Sequence, residues 1–85
     1  MQIFKYPIEI GKFSVEMPKG AVFLSAELQN NQPFFWARVN TDNPVETRDF
    51  EIIGTGHKFD ERGKRYLTTF QQGPFVWHLH EVTFH

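Results

Sequence analysis

Hydrophobic and polar residues alternate with a period close to two along most of the chain, and no window longer than ten residues keeps a clean 3.6-residue repeat. Ile3 to Tyr6 makes a first short strand, with Pro7 suited to an edge or strand end because it cannot donate to a ladder. Phe13, Val15 and Met17 then alternate with Lys12, Ser14 and Glu16 until Pro18 and Gly20 close the run. From Ala21 to Gln29, Val22, Leu24, Ala26 and Leu28 fall on one face, and Phe23, Ser25, Glu27 and Gln29 on the other. Leu24 to Leu28 also suits a helix by composition, but a strand agrees better with the turn pair and apolar arm beyond it. Asn30-Asn31 is a tight-turn pair, since Asn tolerates positive φ, so residues 21–41 read as a β-hairpin.

The second arm, PFFWARVN, is apolar on both faces: Phe35, Ala37 and Val39 on one, Phe34 and Trp36 on the other. Such a strand is either sandwiched between layers or keeps one face for a partner. TDNPVET reads as a loop. Arg48 to Ile53 is a strand that sets Phe50 and Ile52 against Glu51 and Ile53, and Gly54-Thr55-Gly56 stops it. The charged stretch His57 to Arg65 is a loop, with Gly63 suited to its turn. Tyr66 to Gln72 and Phe75 to Phe84 are the last strands, joined at Gly73-Pro74. Six or seven short strands at this spacing predict one all-β domain over residues 1–85, a small antiparallel sandwich or partly open barrel.

Composition narrows the function classes. With 85 residues the chain buries only about 60 to 65% of its unfolded surface, a thin core that oligomerisation often supplements. Ten Phe, two Trp and two Tyr supply more aromatic surface than such a core readily hides. A formal net charge of −1 offers no general attraction for a nucleic-acid polymer or an anionic membrane. No cysteine is present, and neither a signal-like N-terminus nor a long apolar run occurs, so the expectation is a protein kept inside the cell.

Three clusters carry candidate chemistry. Gly54, Thr55, Gly56 and His57 form a glycine-rich stop whose backbone N–H groups suit an anion, with Lys58 and Arg62 following, although no GK[ST] continues it into a P-loop. His78 and His80 sit two apart on a strand, their Cα atoms about 6.6 to 7 Å apart, a chelating distance. A third ligand would have to come from His57, His85 or Glu51, and none is specified by spacing, so no metal and no cofactor is expected. Alternation instead turns Phe75, Trp77 and Leu79 inward and leaves both histidines exposed. Phe23, Phe34 and Trp36 fall opposite the face expected to be buried, where aromatics anchor interfaces or stack on planar ligands. No serine elbow and no carboxylate pair set by spacing is present, and the chain reads as a non-enzyme.

IFKY, EMPKGA, the PFFWARV arm, the ETR stretch leading to GTGH, and the closing YLTTFQQ and FVWH together resemble a family of short uncharacterised proteins of bacteriophages and prophages. The matching positions are Met17, Pro18, Gly20, Ala21, Gln29, Trp36, Ala37, Gly54 to His57, Thr69, Gln71, Val76, Trp77, His78 and Glu81. His80 stands where the family pattern has an aromatic or aliphatic residue, which weakens the His-x-His site.

The resemblance implies a stand-alone phage-derived β protein with no established activity, and the leading expectation for it is a non-enzymatic binder or inhibitor acting in the host cytoplasm as a homo-oligomer. Its targets would be a host defence protein or a small signalling nucleotide. For a nucleotide, Trp36 would stack on the base while Gly54 to Gly56 and Lys58 or Arg62 meet phosphate. The alternative is a minor virion or assembly component.

Overall fold

Two tight turns organise the chain, which the computed structural model describes over residues 1–83. Asn30 and Asn31 both take left-handed backbone, with φ of 51° and 64°, the type I′ geometry that matches the twist of flanking strands. They join β3 (Val22–Gln29) to β4 (Gln32–Val39). At the other turn Gly73, φ 56°, precedes Pro74 and joins β6 (Lys64–Gln72) to β7 (Phe75–Val82). Around these hairpins lie β1 (Gln2–Pro7), β2 (Gly11–Pro18) and β5 (Val45–Gly54). β5 starts earlier than its sequence suggests, because Val45 to Thr47 pair with Pro18 to Glu16 instead of remaining loop. The expected extension of the last strand to Phe84 lies outside the described residues.

All neighbouring strands are antiparallel, in a three-stranded sheet ordered β1-β4-β3 and a four-stranded sheet ordered β2-β5-β7-β6. The domain is an all-β sandwich and not a closed barrel. Although last in sequence, β7 is an inner strand, hydrogen-bonded on both sides. Between the sheets lie Ile8, Val15, Met17, Phe35, Val39, Phe50, Ile52, Phe70 and Leu79. The Phe35 ring from one sheet meets Phe50 from the other at 5.2 Å, and Phe13 stacks on Phe50 at 5.4 Å. Each such aromatic contributes about 1.5 to 3 kcal/mol by leaving water.

Two bulges reset the alternation. In β3 the register shifts between Phe23 and Ser25, so Leu24 is the extra residue. Phe23 therefore turns into the core against Phe35, at 5.8 Å, while Ala26 and Leu28 face inward beyond the bulge. The expected inward face of Val22 and Leu24 is corrected accordingly: Leu24 is 45% exposed and Phe23 is half-buried. In β6 the shift falls between Tyr66 and Thr68, with Leu67 as the extra residue. It places Tyr66 and Thr69 on the same outer face, although they are three apart in sequence. Phe75 is also corrected, from core to 57% exposed, stacked on Trp77 at 5.6 Å.

At the end of the core Glu81 is buried and held by two arginines. Arg48 grips it in a fork, Nε to Oε2 at 2.6 Å and Nη2 to Oε1 at 2.8 Å, and Arg65 Nη2 donates to Oε1 at 2.8 Å. Arg48 Nη1 also donates to the Ala21 carbonyl, tying the start of β3 to the four-stranded sheet. Burial by itself would raise the Glu81 carboxyl, but hydrogen bonds and charge from Arg48 and Arg65 outweigh it and hold the group below its ordinary value.

Candidate functional site: a cleft on the outer face of the four-stranded sheet

On this sheet Ile52 and Leu79 point into the core, so period-2 geometry sends Ile53, His78 and His80 outward. The chain leaving β5 then folds back over them. A turn at Thr55 and Gly56 is closed by the His57 N–H donating to the Gly54 carbonyl at 3.2 Å, with Gly56 at φ 86°. The segment ends at Gly63, φ 66°, whose carbonyl accepts from the Thr83 N–H at 2.7 Å. Phe59 is carried between these two glycines and lies 5.2 Å from the His80 ring. Tyr66 meets the same ring at 5.7 Å in an edge-on arrangement. His80 is left only 7% exposed: it faces outward as alternation requires, yet it is not the exposed histidine that alternation alone suggests.

The result is a cleft of about 290 Å³ lined by Ile53, Gly54 to His57, Phe59, Tyr66, His78 and His80. A chain of hydroxyls crosses one wall. Thr55 Oγ1 donates to the Val76 carbonyl at 3.3 Å and lies 2.7 Å from His78 Nε2. Thr69 Oγ1 lies 2.9 Å from His78 Nδ1, and Tyr66 OH 2.6 Å from Thr69 Oγ1. One proton arrangement satisfies the whole chain: the tyrosine donates to Thr69, Thr69 to Nδ1, and Nε2–H to Thr55. Both ring nitrogens of His78 are thus committed within the protein.

His80 differs. Its Nδ1–H donates to the His78 carbonyl at 3.2 Å, and Nε2 has no hydrogen-bond partner among the described residues. Beside the cleft Lys64 Nζ contacts Glu51 Oε1 at 2.6 Å and sits 5.8 Å from the Phe59 ring centre. The Lys64–Glu51 contact lies off the hydrogen-bond direction, so it acts as a charge pair bracing the loop's anchor.

The whole chain, residues 1–85, matches DUF7352, a domain of unknown function. It belongs to that family. Searches of curated proteins and of solved structures return no match.

This DUF7352 domain brings together Gly54, Thr55, Gly56, His57 and His78, all of which line the cleft. Lys58 lines a neighbouring depression together with His57 and Trp77, and its ammonium has no partner among the described residues. Arg62 is engaged by Asp60, with Nη2 to Oδ2 at 2.8 Å and further bonds from Nε, and this pairing holds the exposed Asp60 carboxyl well below the usual range. Phe34 and Trp36 lie apart from all of these. They point away from the core on the outer face of the three-stranded sheet, where Phe34 is covered by the Lys5 ammonium at 4.6 Å. A base stacked on Trp36 therefore cannot share a site with the glycine loop.

Among the described residues no group of three or more His, Cys, Asp or Glu is arranged to hold a metal. His85, the other suggested ligand, lies outside the described residues. Alternation and motif spacing miss Phe59, Tyr66 and Thr69 and set His80 aside. Only the bulge at Leu67 brings Tyr66 and Thr69 to His78 and His80, and no residue type announces it. Among the described residues no helix is long and apolar enough to cross a membrane.

Proposed function

We propose that this domain is a non-enzymatic binding protein that holds a small ligand in the cleft over His78 and His80. The observation that carries this reading is the folding of residues 55–63 over an outer sheet face, which encloses aromatic walls and histidines on the side of the sandwich away from its core. Binding sites of this kind are mostly apolar, with a few placed polar groups. Tying both nitrogens of His78 to threonines favours a rigid wall over a proton-transfer group. A mononucleotide suits the arrangement, with its base in the cleft and its phosphate carried past His57 to Lys58. In the phage setting that the sequence resembles, such capture removes a nucleotide signal from a host defence system in the cytoplasm.

A second reading rests on the opposite face. Ile3, Val22 and Leu24 are exposed there beside Trp36, an apolar surface of the kind that docks on a protein, whether a host target, a second copy or a virion. Native mass spectrometry of the purified protein, alone and after incubation with a mononucleotide panel, tests the first reading. Retention of one nucleotide per chain supports it. A protein that retains none, yet co-purifies with mature particles, sinks it in favour of the second.

A further inference from the structure

In the cleft wall that His78 forms, every ring nitrogen and hydroxyl is used inside the protein, whereas His80 Nε2 on the floor has no hydrogen-bond partner among the described residues and can meet a ligand. Because Nδ1 must carry a proton to bond the His78 carbonyl, the neutral ring presents Nε2 as a lone pair. Its ring is fixed on two sides by Phe59 and Tyr66, so the lone pair is held in a set direction before any ligand arrives. The cleft, at about 290 Å³, lies at the small end of ligand pockets, enough for one heterocycle and a few further atoms but not for a dinucleotide. Phe59 sits on a segment bracketed by two left-handed glycines, Gly56 and Gly63, and its ring is held by His80 and Lys64.

We propose that the cleft accepts a single planar heterocycle of nucleobase size through a ring N–H that donates to His80 Nε2, with its faces packed against Phe59 and Tyr66. This rests on the reading of the cleft as a binding site and names what that site recognises. An N–H donor is demanded because a ligand without one leaves the imidazole lone pair desolvated and unpaired, which a site built around a hydrogen bond discriminates against strongly.

The test is isothermal titration of the full chain with hypoxanthine and uracil, alongside caffeine and 1,3-dimethyluracil, which are planar but lack a ring N–H. The expected result is saturable binding of at least one N–H base and at least tenfold weaker binding of the methylated pair. His80→Phe, which keeps an aromatic ring between Phe59 and Tyr66, should lose at least tenfold, while Trp36→Ala, on the opposite outer face, stays within about threefold. Equal binding of the methylated bases, or undiminished binding by His80→Phe, overturns the proposal while the cleft stands as a site. If that variant does not fold, the methylated pair decides on the unaltered protein. Capture of a nucleotide in native mass spectrometry with no binding of any free base also overturns it, whereas failure of both experiments removes the cleft reading itself.

Discussion

The two outer faces of the sandwich start from the same alternation and end in opposite conditions. On the three-stranded sheet, outward residues such as Ile3, Ser25, Trp36 and Glu27 have no segment folded over them among the described residues, and the Lys5 ammonium covers Phe34. On the four-stranded sheet a loop bracketed by two left-handed glycines crosses the outward residues and hides His80 almost completely. The difference lies in the connections. A two-residue turn after β3 leaves no chain to spare, while the stretch from Thr55 to Gly63 between β5 and β6 is long enough to cross its own sheet. An aromatic-rich outer face is thus a poor guide to a cleft unless a long loop starts beside it.

Both faces stand on one core, and the largest effect should come from breaking what they share. Glu81→Ala leaves Arg48 half-buried without its forked partner and should cost about 2 to 3 kcal/mol in urea denaturation, less than a fully buried pair because Arg65 reaches solvent. The folded-state pKa of Glu81 lies below the ordinary 4.5, so its stabilisation is complete above that pH and is lost as pH falls through the lower folded value. The variant should therefore show a shallower loss of stability in acid than the parent protein.

Gly54→Ala acts where β5 passes from the core to the cleft. An added Cβ would lie 3.0 Å from Trp77 Cζ3 and 3.2 Å from the His57 ring, so both rings must give by a few tenths of an ångström. We expect a cost of about 1 to 2 kcal/mol and a severalfold loss of ligand affinity. Trp36→Ala acts on the opposite face and should cost about 1 kcal/mol, since the ring is half-buried, with cleft binding unchanged in a titration of the same ligand. If Trp36→Ala abolishes binding, the separation of the two faces is wrong. Asp60→Asn removes an exposed ion pair inside the loop and should leave the melting temperature unchanged.

The strands themselves are legible in the sequence because alternation, the Asn30-Asn31 pair and the Gly73-Pro74 turn are local signals that survive in the folded chain. The face assignments are legible only as far as the first bulge. Leu24 and Leu67 each add one residue to a strand, and nothing in VFLSAEL or KRYLTTF marks the insertion, which is set by pairing with β4 and β7. Alternation alone thereby puts Phe23 on the wrong side and leaves Tyr66 unconnected to His80. The glycine stop and His78 stand out in the sequence as a linked pair of interest, and they do share a cleft. Phe59 does not: a single aromatic in a charged loop acquires its role only when the loop's end points are known.

The central claim is that ligand recognition belongs to the covered face and not to the aromatic open one. Backbone and side-chain NMR of the full chain during titration with a mononucleotide tests it most directly. The account predicts shifts confined to Thr55, Gly56, His57, Lys58, Phe59, Tyr66, His78 and His80, with Phe34 and Trp36 unmoved. Shifts centred on Phe34, Trp36 and Val22 would contradict it.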